Sequence, residues 1–136
     1  MRVCVLYCES SGTSCKELSA GLAEGLQMQG HTVDVIDMQA DAGKIVSFYD
    51  YLVVGTSAIS FWGGKIPRKV YDFLKAAGTI SGKRCFAFVP KRGMRVMKTL
   101  QRLMHVMESQ GMYLTYSDVL TNRAFAKEVG KRLKIS

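Results

Sequence analysis

The chain contains no run of apolar residues long enough to span a membrane, and no signal-peptide pattern precedes its first apolar segment. It is therefore expected to be a soluble, cytoplasmic protein without a transmembrane segment. Its four cysteines form no C-x-x-C pair, and neither His31 nor His105 lies near them in sequence. Zinc and iron–sulfur chemistry thus lack a ligand set, and neither histidine has an evident catalytic partner. No G-x-G-x-x-G occurs. Residues 78–83 come one position short of P-loop spacing, Arg84 stands where Ser or Thr is required, and a strand follows where a P-loop needs a helix. Cys8 and Cys85 lack the arginine of a phosphatase loop. No internal repeat, linker or low-complexity stretch divides the sequence, so one domain over residues 1–136 is expected.

Of the 136 residues, 48% are hydrophobic and 22% charged, enough for a substantial core. The net charge of +8 is unevenly spread. Residues 1–64 carry three Lys/Arg against seven Asp/Glu, whereas residues 65–136 carry sixteen against four. A basic second half suits an anionic partner: an acidic protein, a phosphorylated cofactor, a membrane surface or nucleic acid. Nucleic acid has only the charge to support it, because no recognition motif accompanies it. A solvated basic surface accounts for the charge equally well.

Strands and helices alternate along the chain. Residues 2–7 form a short apolar run with β-branched members, read as a buried strand. Leu18, Leu22 and Leu26 recur every fourth residue in a helix over about 14–29, ending at Gly30. Residues 33–37 alternate as an edge strand does, and 43–49 are read as a turn or two of helix. Residues 51–56 make a central strand, and a helix over 67–77 opens with Pro67 and closes at Gly78. A strand at 85–89, a helix at 94–109, a strand at 113–116 and a helix at 124–133 complete the order. On the 94–109 helix, Met97, Leu100, Met104 and Met107 make one apolar stripe, read as core-facing. This α/β alternation predicts a five-stranded parallel sheet covered by helices on both faces, a three-layer α/β/α domain.

Ligands of open parallel sheets sit beyond the carboxyl ends of the strands. That directs attention to three segments: Glu9–Ser14, Ser57–Gly64 and Pro90–Arg95. In the first, hydroxyls and glycine lead into a helix N-terminus, an arrangement able to hold an anion. Ser14 and Glu17 have capping-box spacing, so Ser14 also reads as a helix cap. The helix start would lower the pKa of Cys15, although an ordinary reduced cysteine is the plainer reading. In the second segment, Trp62, the chain's single tryptophan, stands among glycines. It is placed either to stack on a ligand or to pack on the sheet end, and Phe61 reads equally as core or site. In the third, Lys91 and Arg92 could offset a phosphate or meet NADPH, or lie on an ordinary charged loop.

Together these segments resemble the flavodoxin-like family. Its phosphate loop, (Ser/Thr)-x-(Ser/Thr)-Gly-x-(Ser/Thr), aligns with Glu9-Ser10-Ser11-Gly12-Thr13-Ser14 in three of four defining positions. Residues 49–57 followed by 61–67 are similar to the family's second element, and residues 126–133 to its closing helix. The resemblance implies the strand order 2-1-3-4-5 and FMN as cofactor. The phosphate would lie on Ser10, Ser11, Gly12, Thr13 and Ser14. The flavin ring would lie among Ser57, Ala58, Phe61, Trp62, Gly63, Pro90, Lys91 and Gly93. The implied function is an FMN-binding flavoprotein of electron transport or an FMN-dependent oxidoreductase. Its partner would be an acidic redox protein or NAD(P)H. The alternative is the same fold kept as a binding module without FMN, because Glu9 takes the place of a hydroxyl in the phosphate loop. A carboxylate turned inward there would oppose a phosphate; turned to solvent, it would not.

Overall fold

The computed structural model describes residues 1–9 and 12–135. Nine elements follow one another as β1 (Arg2–Cys8), α1 (Ser14–Met28), β2 (Thr32–Asp37), β3 (Tyr51–Thr56), α2 (Arg68–Lys75), β4 (Arg84–Pro90), α3 (Val96–Ser109), β5 (Tyr113–Leu120) and α4 (Arg123–Arg132). The five strands pair in parallel in the order β2-β1-β3-β4-β5. This is the expected three-layer α/β/α architecture.

The apolar runs of β1, β3 and β4 follow from burial on both faces. Alternate residues of each strand enter different cores. Cys4, Leu6, Leu52, Val54, Cys85 and Ala87 meet α2 and α3 through Val70, Phe73, Leu74, Leu100, Leu103 and Met107. Val3, Val5, Tyr51, Val53, Phe86 and Phe88 meet α1 and α4 through Leu18, Leu22, Leu26 and Ala126. The edge strand β2 keeps only Ile36 buried, as its alternation predicts. Helices α1 and α4 touch almost backbone to backbone, because Gly21, Gly25 and Gly130 present no side chain there.

Four expectations need correction. Residues 43–49 form turns rather than helix, yet Val46 and Tyr49 are buried, and Val46 N–H reaches the Ala77 carbonyl at 2.9 Å. Gly43, at φ +84, breaks any helical path there. Helix α3 starts at Val96 rather than 94, since Arg95 holds a left-handed conformation at φ 53. Its buried side chains are Thr99, Leu100, Leu103 and Met107, whereas Met97 is 59% exposed. Thr99 takes the inward place in the first turns because its hydroxyl accepts the Gly64 N–H at 2.9 Å. Finally, β5 extends to Leu120 through polar Ser117 and Asp118, with a register shift opposite Cys85 and Phe86.

Candidate functional site

The direction in which Glu9 points decides the character of the β1–α1 loop. Leaving the end of β1, its side chain turns inward and is only 8% exposed. Oε1 accepts the backbone N–H of Cys15 at 2.9 Å, in the first turn of α1. Oε2 is buried without a hydrogen bond, 3.9 Å from Arg92 Nη1. Helix α1 is therefore capped by a carboxylate from the preceding strand end. The residue that flanks it, Thr13, makes no side-chain cap bond. The Ser14–Glu17 capping box does not form, because Glu17 pairs with Arg123 of α4 and Ser14 Oγ accepts from Arg92 Nη1 at 3.2 Å.

The other residues expected to hold a phosphate divide as follows. Gly12, at φ +86, lies beneath Arg92, where an added Cβ would stand 3.2 Å from Nη1. Thr13 is exposed and Ser14 half-buried. Ser10 and Ser11 lie outside the described residues. Arg92 thus reaches across from the loop after β4 to the first turn of α1, joining two segments that the sequence could only place side by side.

Cys15 is fully buried. Burial, and then the neighbouring Glu9 carboxylate, raise its thiol far above the ordinary range. The helix start does not turn it into a reactive thiolate. Cys8 is buried too, and desolvation pushes its thiol up to about 11.

The loops after β3 and β4 are tied to each other. Met94 N–H donates to the Phe61 carbonyl at 2.7 Å. Gly93 at φ +77 passes so close that a Cβ would lie 2.6 Å from the same oxygen. Between these loops lies a cleft of about 80 Å³ lined by Ser57, Ala58, Ser60, Phe61, Val89, Pro90, Arg92, Gly93, Val96 and Thr99. Ser57 is buried, and its Oγ has no hydrogen-bond partner. Phe61 and Trp62 stand outside, 67% and 63% exposed, with their rings edge to face at 6.0 Å. Trp62 therefore does not pack on the sheet end, and Phe61 is not a core residue. Gly63 is half-buried beside the Met94 carbonyl. Lys91 is exposed and anchored by its backbone N–H to the Leu120 carbonyl at 2.9 Å. Val89, Val96 and Thr99 line this cleft from outside the three segments that the sequence singles out. A threonine inside an apolar helical stripe was the available signal.

A roomier cleft of about 540 Å³ lies elsewhere, between β5 and α4, lined in part by Tyr116, Phe125, Val129, Arg84 and Arg132. None of the residues expected to bind a cofactor borders it. Among the described residues, no group of His, Cys, Asp and Glu could hold a metal ion, and no helix is long and apolar enough to cross a membrane.

The strand order reverses between β1 and β3, and the three loops meet at the carboxyl end of that junction. The flavodoxin order is itself a standard instance of such a switch point. Solved structures agree with the topology. Oxidised flavodoxin 1 from Bacillus cereus superposes with a TM-score of 0.72 at 18% identity, over 97% of this chain and 99% of that one. This chain has the flavodoxin fold. The flavodoxin of Streptococcus pneumoniae TIGR4 gives 0.72 at 17% identity, over 98% and 97% of the two chains. A WrbA-like flavodoxin from Agrobacterium tumefaciens gives 0.63 at 18%, over 96% and 93%. At such identities the likeness carries the flavodoxin fold and not its chemistry. No protein-family model matches the chain, and no curated protein sequence does.

Proposed function

We propose that this chain binds a flavin at the carboxyl ends of β1, β3 and β4 and serves as a redox protein, the flavin supplying the electron chemistry. The observation that carries the reading is the pairing of Trp62, open to solvent, with the buried Ser57 hydroxyl that lacks a partner in the adjoining cleft. A planar ring needs a face to stack on and a polar group at its edge. Those two residues offer both. At about 80 Å³ the cleft is far below the roughly 300–1,000 Å³ of a typical ligand pocket, so it suits one edge of a ring rather than a whole ligand. Trp62 and Phe61 would cover the exposed face and limit the access of water to it.

FMN is the flavin that the flavodoxin likeness brings with it, and its two ends fit unequally. The ring end suits Ser57, Trp62 and the Pro90–Gly93 loop. The phosphate end meets Glu9, whose carboxylate already occupies the start of α1. The same observation favours a second reading, a flavodoxin-fold module that works without a flavin.

Flavin titration separates the two readings. Purified protein added to riboflavin or FMN at micromolar concentrations is expected to quench flavin emission, with matching quenching of Trp62. Unchanged emission with both flavins would end the redox reading and leave the module. Where a flavin binds, anaerobic mixing with NADPH distinguishes a reductase, which is reduced directly, from a carrier, which waits for a partner protein. The basic second half makes an acidic surface the expected complement of such a partner.

A further inference from the structure

Glu9 brings its own negative charge to the place where a flavodoxin-type loop would receive one from its ligand. The carboxylate is almost wholly buried, with Oε1 engaged by Cys15 N–H and Oε2 lacking any hydrogen-bond donor. Arg92 lies 3.9 Å from that second oxygen and also holds Ser14 Oγ. One negative and one positive side chain therefore face each other, with the Arg92 guanidinium over Gly12. A phosphate entering this loop would add charge beside a buried carboxylate, or expel Glu9 from the helix start and from Arg92. A neutral ligand disturbs neither interaction.

From this we infer that Glu9 makes the loop selective for a flavin without a phosphate, of the riboflavin type. The carboxylate takes the place of the phosphate at the helix N-terminus, and a ribityl chain that ends in a neutral hydroxyl adds no second charge beside it. Arg92 keeps the carboxylate compensated and so acts through Glu9 rather than on the ligand. This inference rests on the flavin-binding reading above and gives the flavin its chemical class.

The test is equilibrium titration of riboflavin and FMN, followed by flavin fluorescence, with the wild-type chain, Glu9→Thr and Glu9→Gln. The wild type is expected to bind riboflavin at least about tenfold more tightly than FMN. Glu9→Thr is expected to reverse that order, and inorganic phosphate should then weaken FMN binding to the variant while leaving riboflavin binding to the wild type unchanged. Glu9→Gln retains an oxygen for the Cys15 N–H and loses only the charge. It is expected to narrow the preference, and it carries the test if the threonine variant does not fold. Wild-type protein that binds FMN as well as or better than riboflavin overturns the inference and leaves the flavin function standing. A preference unchanged in Glu9→Gln overturns it as well. Binding of neither flavin by the wild type removes both.

Discussion

Arg92 Nη1 donates to Ser14 Oγ at 3.2 Å, linking two loops 78 positions apart in sequence. The same guanidinium compensates Glu9 from 3.9 Å, yet its side chain is 44% exposed, so water screens much of the attraction. Arg92→Ala would leave a buried carboxylate with less compensation, and a loss of about 1 kcal/mol is expected after allowing for that screening. Glu9→Ala removes the cap on Cys15 N–H and is expected to cost about 1–2 kcal/mol. Urea unfolding of the single and double variants should show the two losses summing to more than the double loss, because the residues share one interaction. Strict additivity would mean that the pair carries no coupling.

The contact of α1 with α4 depends on hydrogen in place of methyl. At Gly25 an added Cβ would lie 2.2 Å from the Lys127 carbonyl oxygen, which is backbone and cannot swing aside. Helix propensity alone would favour alanine by about 1 kcal/mol. Overpacking of about 1–3 kcal/mol or more opposes it, and the closeness of the contact decides the sign. Gly25→Ala is expected to lower the thermal midpoint, while Lys16→Ala, at an exposed position of the same helix, should leave it nearly unchanged. A stabilised Gly25→Ala protein would show that the helices can move apart freely.

Trp62 offers a cleaner separation of ligand binding from folding. It is 63% exposed and touches Phe61 edge to face. Trp62→Ala should therefore change stability by no more than about 0.5 kcal/mol. Loss of a stacking face is expected to weaken flavin binding about 3- to 10-fold. Equal affinity in the variant would move the flavin away from this loop.

The parts of the fold that could be read from sequence are those with unbroken apolar burial. β1, β3 and β4 are buried on both faces, so their runs mark them directly. The latter part of β5 escaped notice because Ser117 and Asp118 lie on an edge strand, where polar side chains are tolerated. Residues 43–49 misled because Val46 and Tyr49 are buried by contacts across the fold and not by a helical face. Strand order located the three loops, since topology confines ligands to the carboxyl ends. The orientation of Glu9 was not legible, because it depends on Cys15 N–H and on Arg92, which only the folded chain brings together.

Alkaline pH should weaken the fold through its cysteines. Burial raises Cys8 to about 11, and Cys4 and Cys85 to about 12, from an ordinary 9.0. Below pH 9 both the folded and the unfolded chain keep these protons, and the stabilisation is fully present. Above it, the unfolded thiols ionise while the folded ones do not, which favours unfolding until the folded thiols titrate in turn. Each such thiol contributes a decline of up to about 1.4 kcal/mol per pH unit across that window. Urea midpoints are expected to fall between about pH 9 and about pH 11, and Cys85→Ala should make the decline shallower. Thiol reagents should label the native protein slowly, and quickly once urea exposes all four cysteines. A flat midpoint across the same range would mean that the folded thiols ionise as readily as the unfolded ones, against the raised values that burial gives them.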